Sequence, residues 1–254
     1  MGHNSYIICT TPRSGSTLLC SLLSATGCSG KPDSHFHEPS SDAWLADFDL
    51  VRSDYASDPD ALAAAVDAAK ARGRGATNIF GLRLQQSSFD FLMNQLGVIC
   101  PRAVDDRERI EAAFGPTLYI HLTRADLLDQ AVSYVRAQQT GLWHRAPDGR
   151  ELERLAPPAR ASYDRDAISA QLDALRIANA AWERWFEREG LIPLHLTYEG
   201  LAADPQGTLA LILARLGLDL KAAVGVQPGV ARLADEVSRD WKARFMAERE
   251  GGWL

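Results

Sequence analysis

The residues with the clearest chemical potential are residues 12–17, Pro-Arg-Ser-Gly-Ser-Thr. They join an apolar stretch typical of a buried strand, residues 6–10, to a leucine-rich stretch with the spacing of a buried helix face. A helix that begins in this way presents free backbone amides at its amino terminus, and its dipole favours an anion there. Arg13 adds a permanent cation, and Gly15 lets the backbone approach the anion closely. The hydroxyls of Ser14, Ser16 and Thr17 are three further donors. The sequence therefore predicts a loop that binds a phosphate-type anion.

This loop departs from the Walker A pattern of kinases and ATPases. That pattern requires Gly-x-x-x-x-Gly-Lys-Ser/Thr, with the lysine on the outer phosphates and the hydroxyl on magnesium. Here Arg13 precedes Gly15, and the loop has no Gly-Lys pair. An ordinary strand-to-helix turn capped by serine and threonine is the alternative interpretation. Residues further along the chain must decide between the two.

Four apolar stretches predict the strands that position the loop: residues 6–10, 78–84, 117–122 and 192–198. Helical patterns separate them, which favours an α/β fold of the P-loop type, a parallel sheet with helices on both faces. Loops at the carboxyl ends of parallel strands are where such proteins place their chemistry.

Several candidate residues fall at those positions. Residues 31–39, Lys-Pro-Asp-Ser-His-Phe-His-Glu-Pro, form either a solvated polar loop or a source of proton acceptors. Arg83 lies among apolar neighbours, so it reaches either an anion or solvent. Arg124 and Ser133 suit the binding of one phosphate, because the first follows a strand and the second lies two helical turns further on. An ion pair of Arg124 with Asp126 or Asp129 is the alternative. Trp143 would stack on a sugar face or pack against the body of the protein.

The length of 254 residues suits one domain, residues 1–254. The net charge of -6 argues against a nucleic-acid binder. No apolar run approaches the roughly 18 residues of a membrane span, and no signal peptide is visible, so we expect a cytoplasmic protein. The cysteines show no metal or redox spacing, and we expect reduced thiols and no metal: Cys9, Cys20, Cys28 and Cys100.

Four further segments have patterns that predict a structure but no particular chemistry. Residues 89–96 have the spacing of a core helix, and residues 164–189 that of a long amphipathic helix serving as core or as a dimer surface. Residues 145–160, rich in charge, glycine and proline, predict a mobile loop. The charged tail, residues 232–245, would on its own be a solvated terminal helix.

Three separated stretches together resemble the sulfotransferases that use 3′-phosphoadenosine-5′-phosphosulfate (PAPS). They are residues 12–17, the pair Arg124 and Ser133, and residues 198–205, Tyr-Glu-Gly-Leu-Ala-Ala-Asp-Pro. Within that superfamily nearly the whole chain is similar to the Stf0 family, whose characterised activity is trehalose 2-sulfotransfer. The segments that recur there include residues 25–27, 130–133 and 139–143.

The resemblance implies a sulfotransferase fold, PAPS as donor with PAP as product, and a homodimer. It implies a small hydroxyl acceptor, a trehalose-like carbohydrate or a glycolipid precursor. By the same analogy the loop of Arg13 holds the 5′-phosphosulfate and Arg124 with Ser133 holds the 3′-phosphate. Tyr198 then lies near the adenine, and Arg232 closes the site from a C-terminal segment, residues 228–254.

One departure from the family concerns the catalytic base. The family motif reads Gly-x-Pro-x-Glu-x-Phe, and residues 30–36 here put Ser34 in the place of its glutamate. Glu38 becomes the first candidate, because His-Glu-Pro resembles the base segment of carbohydrate sulfotransferases, and His37 the second. His35 and Trp143 are candidates for acceptor binding, with His35 a third choice of base. Trehalose therefore does not follow as the acceptor.

The predicted reaction is direct in-line sulfuryl transfer. Glu38 or His37 takes the acceptor proton, while Arg13, the loop amides and Arg83 stabilise the developing negative charge. Two alternatives stay open. A P-loop kinase acting on a small hydroxyl substrate would depend on magnesium, and a non-catalytic protein would bind PAP and PAPS alike and transfer nothing.

Overall fold

The fold is built on a parallel sheet, in a computed structural model that describes residues 2–231, 233 and 235–250. In chain order the strands are β1 (Ser5–Thr10), β2 (Phe80–Gln85), β3 (Thr117–Thr123), β4 (Leu142–Arg145), β5 (Glu151–Arg154) and β6 (Leu194–Thr197). Four of them pair in the order β2-β1-β3-β6, all parallel. These are the four predicted strands, and the predicted fold class is confirmed.

The central strand, β1, is completely buried because helices cover both faces of the sheet. Ile7 and Cys9 point into one apolar cluster, and Tyr6 and Ile8 point into the other. This alternation is the two-residue period of a strand. A strand that is buried on both faces must be apolar throughout, which explains why residues 6–10 stand out in the sequence.

Ten α-helices are described. They are α1 (Ser16–Ala25), α2 (Ser41–Asp47), α3 (Asp58–Arg74), α4 (Gln86–Ile99), α5 (Asp106–Phe114), α6 (Leu127–Thr140), α7 (Arg165–Arg188), α8 (Tyr198–Ala203), α9 (Pro205–Leu216) and α10 (Glu236–Glu250). Helices α3, α4, α5 and α7 pack on one face of the sheet, and α1, α8 and α9 on the other. Within the described residues, no helix combines the length and the apolar character needed to cross a membrane.

Helix α7 belongs to the core of its own chain. Trp182 and Phe186 lie against the sheet, and Ile168 and Leu172 join a third apolar cluster with α6 and α10. Of the two interpretations of this helix, the structure therefore supports core. The same cluster buries Trp241 on α10 to 4% exposure. The expectation of a solvated terminal helix is wrong, because Trp241 and Phe245 are four residues apart and share one helical face.

Residues 142–154 form a hairpin that the sequence analysis did not predict, and it includes much of the segment 145–160. Strands β4 and β5 pair antiparallel, with Leu142 opposite Arg154 and Arg145 opposite Glu151. Arg154 holds the hairpin closed, since its guanidinium donates to Glu151 and, over 2.6 Å, to the carbonyl of Thr140. The mobility of this segment stays a prediction, as does the single-domain organisation of the chain.

Candidate functional site

A cavity of about 640 Å³ opens at the carboxyl ends of the parallel strands. The residues that line it follow each of the four strands in turn: Gly15 after β1, Gln85 at the end of β2, Arg124 after β3 and Tyr198 after β6. The hairpin β4–β5 closes one side through Trp143, His144 and Glu153. The cavity is therefore located where α/β proteins bind their ligands.

The loop between β1 and α1 has the backbone of an anion site. Arg13 and Gly15 both adopt positive φ angles, 64° and 86°, and Gly15 is the N-cap of α1 without any side-chain cap. Because no side chain caps the helix, its first amides are free to bind a ligand. The hydroxyl of Ser14 is different, since it is fully buried and 2.5 Å from the hydroxyl of Thr10. The prediction that the Ser14 hydroxyl faces the anion is wrong.

The loop is held rigidly from beneath. Gln130 on α6, fully buried, donates through its Nε2 to Thr11 Oγ1 over 2.9 Å and to the Pro12 carbonyl over 2.6 Å. Trp182 Nε1 donates to the carbonyl of Thr10 over 2.9 Å. Sequence reasoning gave Gln130 no role. The feature that could have identified Gln130 is its polar side chain at a helix position that faces the core, next to the buried Ala131 and Val132.

Replacing Gly15 with alanine should lower the free energy of unfolding by about 2–3 kcal/mol. A positive φ costs an L-residue about 1–2 kcal/mol, and the new Cβ would lie 2.4 Å from Tyr198 Cδ2. Gly27→Ala is the matched control, because Gly27 also has a positive φ but nothing lies within 4 Å of its Cβ position. We expect a loss of about 1 kcal/mol there. Urea denaturation of both variants measures the difference, and equal losses would show that the Tyr198 ring yields without cost.

Two arginines meet on the far side of the loop. Arg13 donates from Nε to Ser133 Oγ over 3.0 Å and from Nη1 to the Trp143 carbonyl. Arg124 is only 8% exposed, lies 4.8 Å above the Tyr198 ring and forms an ion pair with Asp129. The alternative reading of Arg124 is thus confirmed for Asp129, yet Arg124 also lines the cavity. Arg124 and Ser133 both line the cavity, and their joint binding of one phosphate stays a prediction.

Three arginines line the cavity, Arg13, Arg83 and Arg124, against the two carboxylates of Asp129 and Glu153. Burial, followed by repulsion from Arg124, lowers the pKa of Arg13 to about 10. Two guanidinium groups that destabilise each other in a partly dry cavity are relieved when an anion enters between them. The electrostatics therefore favour a ligand with negative charge.

Arg83 reaches the loop from β2. Its Nη1 donates to Thr17 Oγ1 and its Nε to Ser34 Oγ, each over 2.7 Å, and its Nη2 lies 3.3 Å from Asp33 Oδ1. The interpretation of Arg83 as an arginine that only reaches solvent is wrong. It ties the first turn of α1 to the segment that carries Ser34.

The polar segment 31–39 contributes fewer cavity residues than predicted. His37 lines the cavity. His35 instead turns inward to 6% exposure and stacks on Phe80, because the adjacent Phe36 is a core residue. Burial lowers the pKa of His35. Glu38 is exposed, does not line the cavity, and only its carbonyl is engaged, by Trp44 Nε1 at 2.6 Å. Neither His35 as an acceptor ligand nor Glu38 as a base fits this geometry.

The hairpin supplies two cavity residues to which sequence reasoning gave no role. His144 Nε2 lies 3.0 Å from Thr17 Oγ1 and 3.3 Å from Glu153 Oε2. Burial, and then the positive charges of Arg13 and Arg83, lower the pKa of His144 to about 4. No local pattern marks these residues, because their position depends on how the hairpin folds back over the loop. Arg232, the predicted closing residue, lies outside the described residues.

One group of metal-ligating side chains lies away from the cavity within the described part of the chain. The ligand atoms of His121, Glu183 and His195 all lie within 4.8 Å of one another. His121 is 1% exposed, and its Nδ1 is 3.0 Å from Glu183 Oε1. None of these residues lines the cavity. The absence of a metal from the reaction stays a prediction.

A parallel sheet with a cavity at its carboxyl edge defines the class of protein as α/β, and the three arginines that line the cavity suit an anionic ligand. Residues 5–248 match the family described as Stf0 sulphotransferase, and the chain belongs to that family. The chain is therefore a member of a transferase family, as its motifs predicted.

Two curated relatives extend over nearly the whole chain. A trehalose 2-sulfotransferase of Mycobacterium tuberculosis (strain ATCC 35801 / TMC 107 / Erdman) is 30% identical over 260 residues, covering 96% of this chain and 94% of the relative. A trehalose 2-sulfotransferase of Mycolicibacterium smegmatis (strain ATCC 700084 / mc(2)155) is 29% identical over 273 residues, covering 97% of each.

Proposed function

We propose that this protein transfers a sulfuryl group from PAPS to a hydroxyl of a small sugar of the trehalose type. The observation that carries the proposal is the convergence of Arg13, Arg83 and Arg124 on one uncapped helix terminus. Family membership and the relatives' activity on trehalose support it. The cavity volume of about 640 Å³ falls within the range of about 300–1,000 Å³ that is typical of ligand sites.

The two ends of the donor would be bound by different residues. The amides of Ser16 and Thr17 and the Arg13 guanidinium hold the phosphosulfate end. Ser14 adds only its backbone, because its hydroxyl is buried. Arg124 and Ser133 hold the 3′-phosphate, and the Tyr198 ring lies beside the adenine.

Other cavity residues would complete the site. Trp143 is the candidate platform for the sugar ring. The C-terminal segment 228–254 supplies a further set of cavity-lining residues, consistent with its closing over the donor: Pro228, Val230, Ala231, Leu233 and Ser238. The predicted homodimer and cytoplasmic location stay predictions.

The chemistry needs no metal in this proposal. The acceptor oxygen attacks sulfur as the bond between sulfur and the bridging oxygen breaks, and that oxygen leaves on PAP with the electron pair. Negative charge grows on the bridging oxygen, beside the loop amides, Arg13 and Arg83. Fixed donors of this kind supply the stabilisation that magnesium gives in kinases.

The contacts of Thr17 weigh against the kinase alternative. In a Walker A loop this hydroxyl coordinates magnesium. Here Thr17 Oγ1 accepts from Arg83 Nη1 at 2.7 Å and lies 3.0 Å from His144 Nε2. A cation beside the hydroxyl, in place of a lysine in the loop, suits an anion that arrives without a metal.

Calorimetric titration with PAP, with and without magnesium, tests the donor. We expect tight binding that is unchanged by magnesium or by a chelator. Mass spectrometry of reactions containing PAPS and a panel of sugars that includes trehalose then tests the transfer. Magnesium-dependent binding of ATP without binding of PAP would support the kinase instead. PAP binding without transfer to any acceptor would support the non-catalytic alternative.

A further inference from the structure

We propose that His144, assisted by Glu153, accepts the proton of the acceptor hydroxyl. The inference rests on the proposed function and adds its catalytic base. Both residues belong to the hairpin β4–β5, and neither lies in the polar segment 31–39 where the sequence placed the base.

The other titratable groups in the cavity are less suited to the role. Among the described residues, the imidazoles and carboxylates that line this cavity or a neighbouring one belong to Asp33, His37, Asp129, His144 and Glu153. Asp129 is committed to its ion pair with Arg124, and Asp33 pairs with Arg83 at 3.3 Å. His37 is exposed, and no described side chain binds its ring. A general base must be held at a fixed position, which leaves the hairpin pair.

The hydroxyl of Thr17 can hold His144 in the tautomer that a base needs. Thr17 has one hydroxyl hydrogen and two lone pairs. Its oxygen accepts from Arg83 Nη1 over 2.7 Å and still has its hydrogen to give to His144 Nε2, 3.0 Å away. In the proposed mechanism the neutral ring carries its hydrogen on Nδ1, and the acceptor hydroxyl takes the place of the Thr17 hydrogen at the Nε2 lone pair.

Glu153 is placed to stabilise the product of that transfer. Its Oε2 lies 3.3 Å from His144 Nε2. A carboxylate accepts no hydrogen bond from an unprotonated Nε2, but it does so once Nε2 carries a proton. The contact between His144 Nε2 and Glu153 therefore strengthens only as the proton arrives. An interaction that is stronger in the transition state than in the ground state is what accelerates a reaction.

The position of the pair gives it access to reactants on two sides. Thr17, Arg83, His144 and Glu153 line the large cavity and also a neighbouring cavity of about 310 Å³. His144 is thus in the wall that both cavities share, next to the loop. Nε2 therefore adjoins the loop, where the donor would bind, and the space beside the loop that an acceptor hydroxyl would enter to reach the sulfur.

Binding of the donor should make His144 a stronger base. The charged groups that face it are Arg13 from the loop, Arg83 from β2 and Glu153 from β5. The two arginines lower the pKa of His144 to about 4. An anion on the loop offsets their charge and raises that pKa, so donor binding takes up a proton at pH values just above 4. PAP should therefore bind more tightly as the pH falls through this range.

In the proposed step the acceptor oxygen forms its bond to sulfur while its hydrogen passes to His144 Nε2. The bond from sulfur to the bridging oxygen breaks, with its electron pair leaving on PAP. The imidazolium that results donates to Glu153. Release of this proton to solvent restores the neutral ring.

The test compares His144→Gln, Glu153→Gln and His37→Gln in steady-state kinetics, with His195→Gln, an exposed histidine outside the cavity, as matched control. We expect His144→Gln to lower kcat about 10²–10⁴-fold with the Kd of PAP changed by less than about threefold. The acid limb of the pH–rate profile should disappear in this variant. Glu153→Gln should move that limb to lower pH, because removing the carboxylate makes His144 harder to protonate. His195→Gln should match the wild type.

Two outcomes would overturn the proposal. A large loss in His37→Gln, with His144→Gln active, would assign the proton to His37. Activity and an unchanged acid limb in His144→Gln would remove the pair from the chemistry while leaving the sulfotransferase intact. If the wild type transfers sulfate to no acceptor, both this inference and the proposed function fail. Calorimetry of PAP in two buffers of different ionisation enthalpy, with His144→Gln as reference, measures the expected proton uptake independently of activity.

Discussion

Replacing Arg13 with alanine is expected to lower kcat about 10²–10³-fold, equivalent to about 3–4 kcal/mol of barrier, as for the loss of one oxyanion donor. The guanidinium is fixed by Ser133 Oγ and by the Trp143 carbonyl, so it needs no reorganisation when charge develops. Burial, and then repulsion from Arg124, lowers the pKa of Arg13 to about 10, and an anion relieves that repulsion. Steady-state rates at saturating PAPS measure the effect.

Two further variants make this result specific to Arg13. Arg13→Lys keeps the charge but cannot bond to Ser133 and Trp143 with one planar group. We therefore expect its kcat to lie between those of the wild type and Arg13→Ala. Arg176→Ala is the control, because Arg176 is an exposed residue of α7 that pairs with Asp173. If Arg13→Ala raises KM and leaves kcat unchanged, Arg13 contributes binding that is equal in ground and transition states.

Replacing Arg124 with alanine is expected to raise the Kd of PAP about a hundredfold. Charge-assisted hydrogen bonds contribute about 1.5–3 kcal/mol, and a hundredfold change corresponds to about 2.7 kcal/mol. Arg124 also neutralises Asp129, and Glu199 Oε1 lies 3.9 Å from its Nε. Without the arginine these two carboxylates face the incoming phosphate, which adds repulsion to the lost contact. Calorimetry with PAP measures the affinity.

A double variant separates the two contributions. Arg124→Ala with Asp129→Asn removes the arginine and the nearer of the uncompensated charges together. We expect the double variant to bind PAP about tenfold more tightly than Arg124→Ala does. Repulsion between a carboxylate and the phosphate costs about as much free energy as one charge-assisted hydrogen bond contributes. Wild-type affinity in the single variant would contradict the assignment of the 3′-phosphate to Arg124.

Much of the fold follows from local patterns in the sequence. Residues 6–10 are apolar because a central parallel strand is buried on both faces, and the loop that follows is read from its glycine and hydroxyls. The parallel sheet and the helices on both faces follow from the alternation of elements, whereas the strand order β2-β1-β3-β6 was not predicted. Arg83 and Arg124 could be proposed because each stands at or near the carboxyl end of a strand, where an α/β fold collects its chemistry. Ser133 could be proposed because it lies two turns along the helix that follows Arg124.

The direction of individual side chains was decided by the tertiary structure. His35 and His37 are two residues apart in one loop, but only His37 lines the cavity, because Phe36 anchors the turn in the core and His35 packs on Phe80. Ser14 turns to Thr10 although it lies in the anion loop. A loop has no fixed period, so sequence spacing cannot assign its side chains to one side or the other.

Contacts between elements that are distant in the chain could not be predicted from local sequence patterns either. The sequence determined a sulfotransferase-like sheet, its anion loop and the arginines around it, since each depends on residues close together in the chain. The tertiary structure alone brought His144 to Thr17, across 127 positions, with Glu153 beside His144. It also buried Trp241 against α6 and α7. Burial and hydrogen bonding at these positions depend on which surfaces meet when the chain folds, and no short stretch of sequence carries that information.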